Sequence, residues 1–256
     1  MTDDLLLPST SSPDLPGGGD LLTGNRLLRR AFLDTPLKIA HRDAVIVGKG
    51  DPQLPAILIN RGVAYSAFTR ADGRRAIVDI LLPGDIVGME NAVMGRSNHE
   101  IIAASSFGYR LLTGPTLIEL MSNPAVSLRA LALVGETLWR LDQHLTAVMR
   151  FDARGRICLF LLGIYDRLRR RNLVARPTFN LPLTQEQMAD HLGMTIVHIG
   201  RTLRRLREEE LVLVDRQVVI ILDLDQLRRS VGDAPSFAFP ETESAGQSAE
   251  PIQPAE

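Results

Sequence analysis

Residues 181–212, which read LPLTQEQMADHLGMTIVHIGRTLRRLREEELV, decide the fold of the C-terminal part of the chain. Thr184 with Gln187 three places later is the capping-box pattern that starts a helix. Gly193 suits a tight turn after that helix, and Thr195 can cap a second one. The stretch therefore predicts two helices joined by a short turn.

The second predicted helix, residues 195–207, has two different faces. Apolar side chains recur at spacings of three and four, namely Ile196, Ile199, Leu203 and Leu206. The other face carries Val197, His198, Arg201, Arg204 and Arg205. A helix that buries one side and offers arginines on the other suits the DNA major groove. The alternative is an ordinary αα-hairpin whose basic face is merely solvated.

Charge is distributed unevenly along the chain. The 256 residues have a net charge of −1, which does not by itself indicate a nucleic-acid partner. Between residues 150 and 207, however, twelve arginines and four acids leave a local charge of +8. Such an excess is typical of a surface that binds phosphates.

The composition excludes several classes of protein. A single cysteine, Cys158, rules out an internal disulfide or an iron–sulfur cluster held by cysteines. Cys158 has apolar neighbours, which favours a core position over a redox switch. The histidines His41, His99 and His144 lack ligand spacing, so we expect no metal site. Neither a secretory signal nor a spanning segment is recognisable, so we expect a cytoplasmic protein without a membrane partner.

The composition and hydrophobic pattern of the N-terminal half change twice along the chain. Residues 1–20 are rich in Ser, Pro, Gly and Asp, and we expect disorder there, followed by a short helix over 21–33. Short apolar runs separated by turn residues fill the region 37–112, which indicates a β-sandwich or barrel. The pair Asp72-Gly73 predicts a hairpin turn within it.

Residues 124–150 are predicted to form one long helix. Six apolar residues follow each other at spacings of three and four: Leu131, Val134, Leu138, Leu141, Leu145 and Val148. These six, called the seam below, follow an a/d pattern over nearly three heptads, which predicts pairing with a second copy of the helix. The alternative is a helix packed on its own barrel, for which Trp139 could provide the contact.

The remainder of the chain completes a C-terminal domain. Asp152 can cap a further helix, and two apolar runs, 211–214 and 218–222, predict a hairpin beside the helix pair, that is, a wing. Residues 231–256 lack lysine and arginine and are expected to form a disordered acidic tail.

Three motifs, in this order and at these separations, resemble the Crp/Fnr superfamily of bacterial transcription regulators over roughly residues 37–230. The first is Gly84-Asp85-Ile86-Val87-Gly88, similar to the family's β-roll motif. The second, Asp152-Ala-Arg-Gly-Arg156-Ile157, is similar to the start of the helix after the family's dimer helix. The third runs from Leu183 to Thr195, followed by Arg201, and resembles the DNA-binding signature.

The resemblance implies an α+β chain with a jelly-roll-type, cyclic-nucleotide-binding-like β-roll over 21–123. It further implies a dimerisation helix over 124–150 and a winged helix-turn-helix over 151–230. The partners expected are a second copy, double-stranded DNA with an inverted repeat, and RNA polymerase. No cofactor is identified, and no nucleophile elbow, glycine phosphate loop or acid/base pair is found, so we expect no enzyme activity.

The motif positions that bind cyclic AMP in other members differ here. An effector pocket would include Gly84, Gly88, Met89, Glu90, His99, Glu100, Leu141 and Asp142. Met89 stands where those members have a ribose-binding glutamate, and His99-Glu100 where they have the Arg-Ser pair for the phosphate. A carboxylate there would repel a phosphate, so we do not expect cyclic AMP to bind, and the effector stays open.

On the recognition helix, Val197 replaces a glutamate found in many members, whereas Arg201 matches the base-reading arginine. We expect base contacts from Arg201 and its neighbours, including Thr195, Val197 and His198. The expected phosphate contacts are Thr184, Gln185, Arg204 and the wing. The rival hypothesis is a ligand-sensing module that acts through protein–protein contacts. An enzyme with a regulatory β-roll is disfavoured, because no group of catalytic residues is left once the domains have been assigned.

Overall fold

The computed structural model describes residues 18–51, 55–97 and 99–232. The expected disorder of residues 1–20 and 231–256 therefore falls mostly outside the described residues. Helix α1 spans Gly18–Leu33, so residues 18–20 are helical and that part of the expectation is wrong. Asp20 in its first turn complements the helix dipole and extends the helix beyond the predicted start.

In the part of the β-roll that the structure describes, eight strands form two four-stranded antiparallel sheets, ordered β1-β8-β3-β6 and β2-β7-β4-β5. Their bounds are β1 Lys38–Ala40, β2 Val45–Val47, β3 Ala56–Arg61, β4 Ala64–Thr69, β5 Arg75–Leu81, β6 Ile86–Val87, β7 Glu100–Ala103 and β8 Phe107–Leu112. The predicted hairpin is confirmed, since Thr69 of β4 faces Arg75 of β5 and Gly73 adopts a φ of 81°.

Helices pack against one side of the β-roll. Two short ones, α2 (Met89–Met94) and α3 (Gly114–Leu120), were not predicted. The long helix α4, Pro124–Arg150, occupies the range in which the seam predicts a helix and packs along α1. At the α1–α4 crossing a Cβ on Gly24 would stand 1.9 Å from the carbonyl oxygen of Ala125, so only glycine allows this approach.

The C-terminal domain begins with α5, Ala153–Arg170, which Asp152 caps by accepting a hydrogen bond from the Gly155 amide. The helix pair follows as α6 (Gln185–Leu192) and α7 (Ile196–Glu208). The wing strands β10 (Val212–Asp215) and β11 (Val218–Ile221) form the predicted hairpin. A short strand β9 (Thr178–Asn180), which pairs with β11, and α8 (Leu224–Arg229) were not predicted.

One apolar core joins the β-roll to the C-terminal domain. Tyr65, Ile77 and Ile80 of the β-roll share a buried cluster with α5, α6 and the wing. A guanidinium reaches across the same boundary, where Arg42 donates to the carbonyl oxygen of Pro182 at 3.4 Å. The helix pair is thus packed directly on the sheet that contains β4 and β5.

Candidate DNA-binding surface

The chemistry of short side chains fixes the ends of the two helices. The Oγ1 atom of Thr184 accepts a hydrogen bond from the Gln187 amide at 3.0 Å, and Gln187 Oε1 accepts from the Thr184 amide at 2.9 Å. Gly193 ends α6 in the left-handed region with a φ of 63°. Thr195 accepts from the His198 amide at 3.2 Å and starts α7. The predicted capping box, turn and second cap are all confirmed.

Helix α7 is strongly two-sided. Ile199 and Leu206 are fully buried, as expected. Ile196 was expected on the same buried face, but 50% of its surface is exposed, because it is the first residue of the helix. The opposite face is open to solvent and includes Val197, which is 67% exposed, together with His198, Arg201 and Arg204.

The outward arginines differ in whether a carboxylate holds them. Arg201, Arg204 and Arg207 are exposed and make no ion pair with any residue in the described ranges. Arg205, also predicted to bind DNA, donates instead to Glu209 at 2.8 Å. Three guanidinium groups of α7 are therefore free to meet phosphates or bases, whereas Arg205 would first have to leave Glu209.

Other arginines of the basic segment point into the molecule. Arg154 binds Glu209 at 2.8 Å, and Arg167 and Arg171 bind Asp85 of the β-roll at 2.5 Å each. The local charge of +8 therefore combines two populations, and only one of them is available to DNA. Counting charges along the chain could not separate them, because both partners of Asp85 lie more than eighty residues away.

A cleft of about 340 Å³ lies between α7 and the wing. Its polar lining comes from Gln185, Arg204, Arg207, Arg216 and Gln217. At the wing tip Arg216 and Gln217 both have positive φ angles, 44° and 78°, and both are exposed. Thr184 and Gln185 are exposed at the start of α6. The cleft, the wing tip and the exposed face of α7 form one polar and basic surface.

The opposite side of the helix pair is occupied by the β-roll. Asp190 of α6 binds Arg75 of β5 at 2.7 Å, and His191 of α6 lies 3.0 Å from the carbonyl oxygen of Ile77. Because these contacts involve the side of α6 away from the exposed face of α7, the domain docks on the β-roll without covering the basic surface.

The residues of the expected effector pocket lie in different surroundings. A Cβ at Gly84 would be 3.1 Å from Cδ of Arg171, and Gly88 caps α2 against the backbone of Pro55. Met89 is buried in the core beside α1 and α4, and Glu90 is exposed. Glu100 accepts a hydrogen bond from Thr69 at 2.8 Å. His99 and Leu141 are partly exposed, and Asp142 is exposed.

Sequence reasoning missed a pair of stacked histidines. The rings of His144 on α4 and His191 on α6 lie 4.3 Å apart and nearly parallel. Burial, together with the neighbouring His144, lowers the pKa of His191 to about 4. Burial also lowers the pKa of His144 below its ordinary value of 6.5, so both imidazoles are neutral at pH 7. The two residues are 47 positions apart and show no motif, so only the packing of α6 against α4 reveals them.

The α4 seam divides into two rows. Leu131, Leu138 and Leu145 are 69%, 61% and 56% exposed, each seven residues after the last. Val134, Leu141 and Val148 are half-buried beside them. Trp139 on the same helix is 42% exposed, so packing through this side chain against its own chain buries only part of it.

Cys158 is fully buried in the core of the C-terminal domain. Burial raises the pKa of its thiol, which opposes formation of the reactive thiolate. Across the described ranges, no three His, Cys, Asp or Glu side chains are grouped so that they could hold a metal ion. None of the described helices has the length and apolar character to cross a membrane.

These features define the chain as a winged helix-turn-helix regulator attached to a β-roll. Residues 155–230 match the model of the Crp-like helix-turn-helix domain. The transcriptional activatory protein AadR of Rhodopseudomonas palustris is 31% identical over 166 residues, which cover 63% of this chain and 67% of AadR. The nitrogen fixation regulation protein FixK of Rhizobium meliloti is 30% identical, over 72% of this chain and 81% of that protein.

Among solved structures, FixK2 from Bradyrhizobium japonicum superposes with a TM-score of 0.69 at 23% identity, covering 76% of this chain and 96% of FixK2. That similarity concerns the fold. Together with the curated relatives, it places the chain in the Crp/Fnr superfamily of transcription regulators, with a helix-turn-helix DNA-binding domain. The chain is a regulator rather than an enzyme, as expected.

Proposed function

We propose that the chain acts as a homodimer that recognises an inverted-repeat operator through α7. The observation that carries this proposal is the exposed face of α7, on which Arg201, Arg204 and Arg207 have no carboxylate partner among the described residues. An unpaired guanidinium on an exposed recognition helix can bind guanine O6 and N7 bidentately or contact a phosphate.

The exposed row of the α4 seam supports the dimer. A spacing of seven residues keeps Leu131, Leu138 and Leu145 on one side of the helix. Since an isolated helix gains little by exposing such a row, the matching surface is the same row on a second copy. The two recognition helices would then enter successive major grooves about 34 Å apart.

Within this proposal, Arg201, Val197 and His198 read bases, with Thr195 at the start of the helix. Thr184, Gln185, Arg204, Arg207 and the wing residue Arg216 meet phosphates, which set the register but not the sequence. Arg205 has a secondary role because Glu209 holds it. We further propose that the protein works in the cytoplasm with RNA polymerase as partner.

The β-roll, in this proposal, does not bind cyclic AMP in the usual way. Glu100, which stands in place of the serine of the family's Arg-Ser pair, is a carboxylate engaged with Thr69 and would repel the phosphate. Met89 contributes to the core instead of offering a polar group to a ribose.

The test is selection of DNA from a pool of randomised inverted repeats, followed by fluorescence anisotropy with and without cyclic AMP. We expect selective binding that weakens steeply with salt and does not depend on the nucleotide. Binding that requires the nucleotide would overturn the proposal for the β-roll. Binding without sequence preference would favour the rival, a signalling module that contacts proteins.

A further inference from the structure

A largely buried cluster of charged side chains lies where α1, the β5–β6 turn, α4 and α5 meet. Among the described residues it consists of five arginines and three carboxylates: Arg29, Arg129, Arg140, Arg167, Arg171, Asp79, Asp85 and Glu136. Arg170 and Asp166 at its edge add one charge of each sign. The cluster therefore has more positive than negative charge in a region with little solvent.

Every carboxylate of the cluster is already bound. Asp79 accepts two hydrogen bonds from Arg140, and Asp85 binds both Arg167 and Arg171. Glu136 binds Arg129 at 2.7 Å. No carboxylate of the cluster is therefore left to pair with Arg29.

Arg29 is 7% exposed and uses one guanidinium nitrogen to donate to the carbonyl oxygen of Gly84 at 2.9 Å. Its Nε atom is buried and has no hydrogen-bond partner among the described residues. Arg171 donates to the adjacent carbonyl, that of Pro83, at 2.8 Å. Burial, together with the positive charges of Arg171 and Arg129, lowers the pKa of Arg29 to about 10.

A buried donor without a partner and two neighbouring like charges are both unfavourable. One phosphate-type oxyanion would relieve both, since its oxygens accept from planar guanidinium groups and its charge offsets theirs. We infer that Arg29 and Arg171 hold such an oxyanion at this junction. The Arg171 side chain keeps 15% of its surface exposed.

The position of this site gives the ligand a structural effect. Arg29 lies on the N-terminal helix α1. Arg171 is the residue that caps the C-terminal end of α5 in the DNA-binding domain. Both side chains meet on the β5–β6 turn of the β-roll. A bound oxyanion would thus tie the DNA-binding domain to the β-roll, at a place separate from the exposed face of α7.

The experiment measures thermal unfolding of the full chain with inorganic phosphate, a nucleoside monophosphate or chloride, at equal ionic strength. We expect phosphate groups to raise the unfolding midpoint by about 5 °C near saturation, while chloride does not. Arg29→Gln should remove this response. Arg26→Gln is the matched control, because Arg26 is exposed on the same helix one turn earlier and should retain the response.

The outcomes are separable. Equal protection by both ligands would indicate free phosphate as the ligand class, and stronger protection by the nucleotide would indicate a phosphate ester. No protection of folded wild-type protein, or full protection of folded Arg29→Gln, would overturn the inference. Should Arg29→Gln fail to fold, Arg29→Lys keeps the charge without Nε and is expected to weaken phosphate binding measured by ³¹P NMR. DNA takes no part in these measurements, so their failure leaves the proposed function untouched.

Discussion

Asp190 on α6 accepts two hydrogen bonds from the guanidinium of Arg75 on β5, at 2.9 and 2.7 Å. This pair attaches the first helix of the helix-turn-helix to the β-roll. Arg75 also donates to the hydroxyl of Tyr65 at 3.0 Å, which orients the guanidinium towards α6. The DNA-binding domain is thereby positioned by charge as well as by the shared apolar core.

A double-mutant cycle should detect this attachment. Arg75→Gln and Asp190→Asn should each lower the free energy of unfolding by about 1 kcal/mol, with a coupling of about 0.5–2 kcal/mol, since both side chains are about three-quarters buried. Chemical denaturation provides the measurement. The control is the exposed pair Arg30 and Asp34, for which the coupling should stay below about 0.5 kcal/mol. Equal coupling for both pairs would mean that the Arg75–Asp190 contact stabilises the fold no more than an exposed surface ion pair does.

Substitution of Asp85 should lower the free energy of unfolding far more than substitution of Arg75 or Asp190. Burial alone would raise its pKa, but Arg167 and Arg171 outweigh burial and hold that pKa well below its usual range. Asp85→Asn would remove the carboxylate that buried Arg167 binds at 2.5 Å and leave it only Asp79 at 3.9 Å, so we expect a loss of about 3–5 kcal/mol in unfolding free energy. Asp72→Asn, at the exposed hairpin turn, should change the same quantity by less than about 0.5 kcal/mol. Comparable losses for the two variants would contradict the buried ion cluster.

The stacked histidines predict a pH dependence of stability. The pKa of His191 is lowered to about 4 from the ordinary value of 6.5, so the unfolded chain binds this proton more readily than the folded chain. Stability is then lost as the pH falls from about 6.5 towards 4, by at most about 3 kcal/mol. His191→Gln should flatten this part of the profile, measured by denaturation at successive pH values. His41→Gln, at an exposed position, should leave the profile as it is.

Arg201 and Arg204 should behave differently on DNA. Arg201→Ala is expected to remove about 1–3 kcal/mol of discrimination at one base pair per half-site. Arg204→Ala should weaken cognate and scrambled DNA alike and reduce the slope of log affinity against log salt by about 1. Anisotropy titrations on both DNAs at several salt concentrations measure these effects. Equal losses on cognate and scrambled DNA for Arg201→Ala would refute its role in reading bases.

The α4 seam is tested by a charge in its middle. Leu138→Glu should shift the protein from dimer to monomer in sedimentation equilibrium, because a carboxylate would face its own copy across the helix pair. Ile118→Glu is the matched control, since Ile118 on α3 is similarly exposed at 57% against 61% for Leu138. A wild-type protein that is monomeric at all concentrations tested would contradict the proposed homodimer.

The sequence predicted best what is determined locally. Thr184 and Gln187, the Asp72-Gly73 turn, and the caps Asp152 and Thr195 each act within three residues of their own position, and the structure confirms all of them. Hydrophobic spacing likewise predicted the buried side of α7, apart from its first residue, Ile196.

Contacts between distant parts of the chain could not be predicted. Nothing near Asp85 in the sequence indicates that Arg167 and Arg171 bind it, or that these arginines of the basic segment therefore point inward. Gly84 was assigned to an effector pocket through its motif, whereas its surroundings include Arg171 of the DNA-binding domain. The short elements α2, α3 and β9 have too few residues to show a period, and their neighbours determine their structure.

The most direct test of the central proposal compares a selected inverted repeat with a single half-site of the same sequence, by anisotropy at fixed salt concentration. A homodimer that reads DNA through two copies of α7 should bind the full repeat at least about a hundredfold more tightly than the half-site. It should lose most of this advantage in Leu138→Glu. Equal affinity for the repeat and the half-site would contradict the proposed mode of DNA recognition.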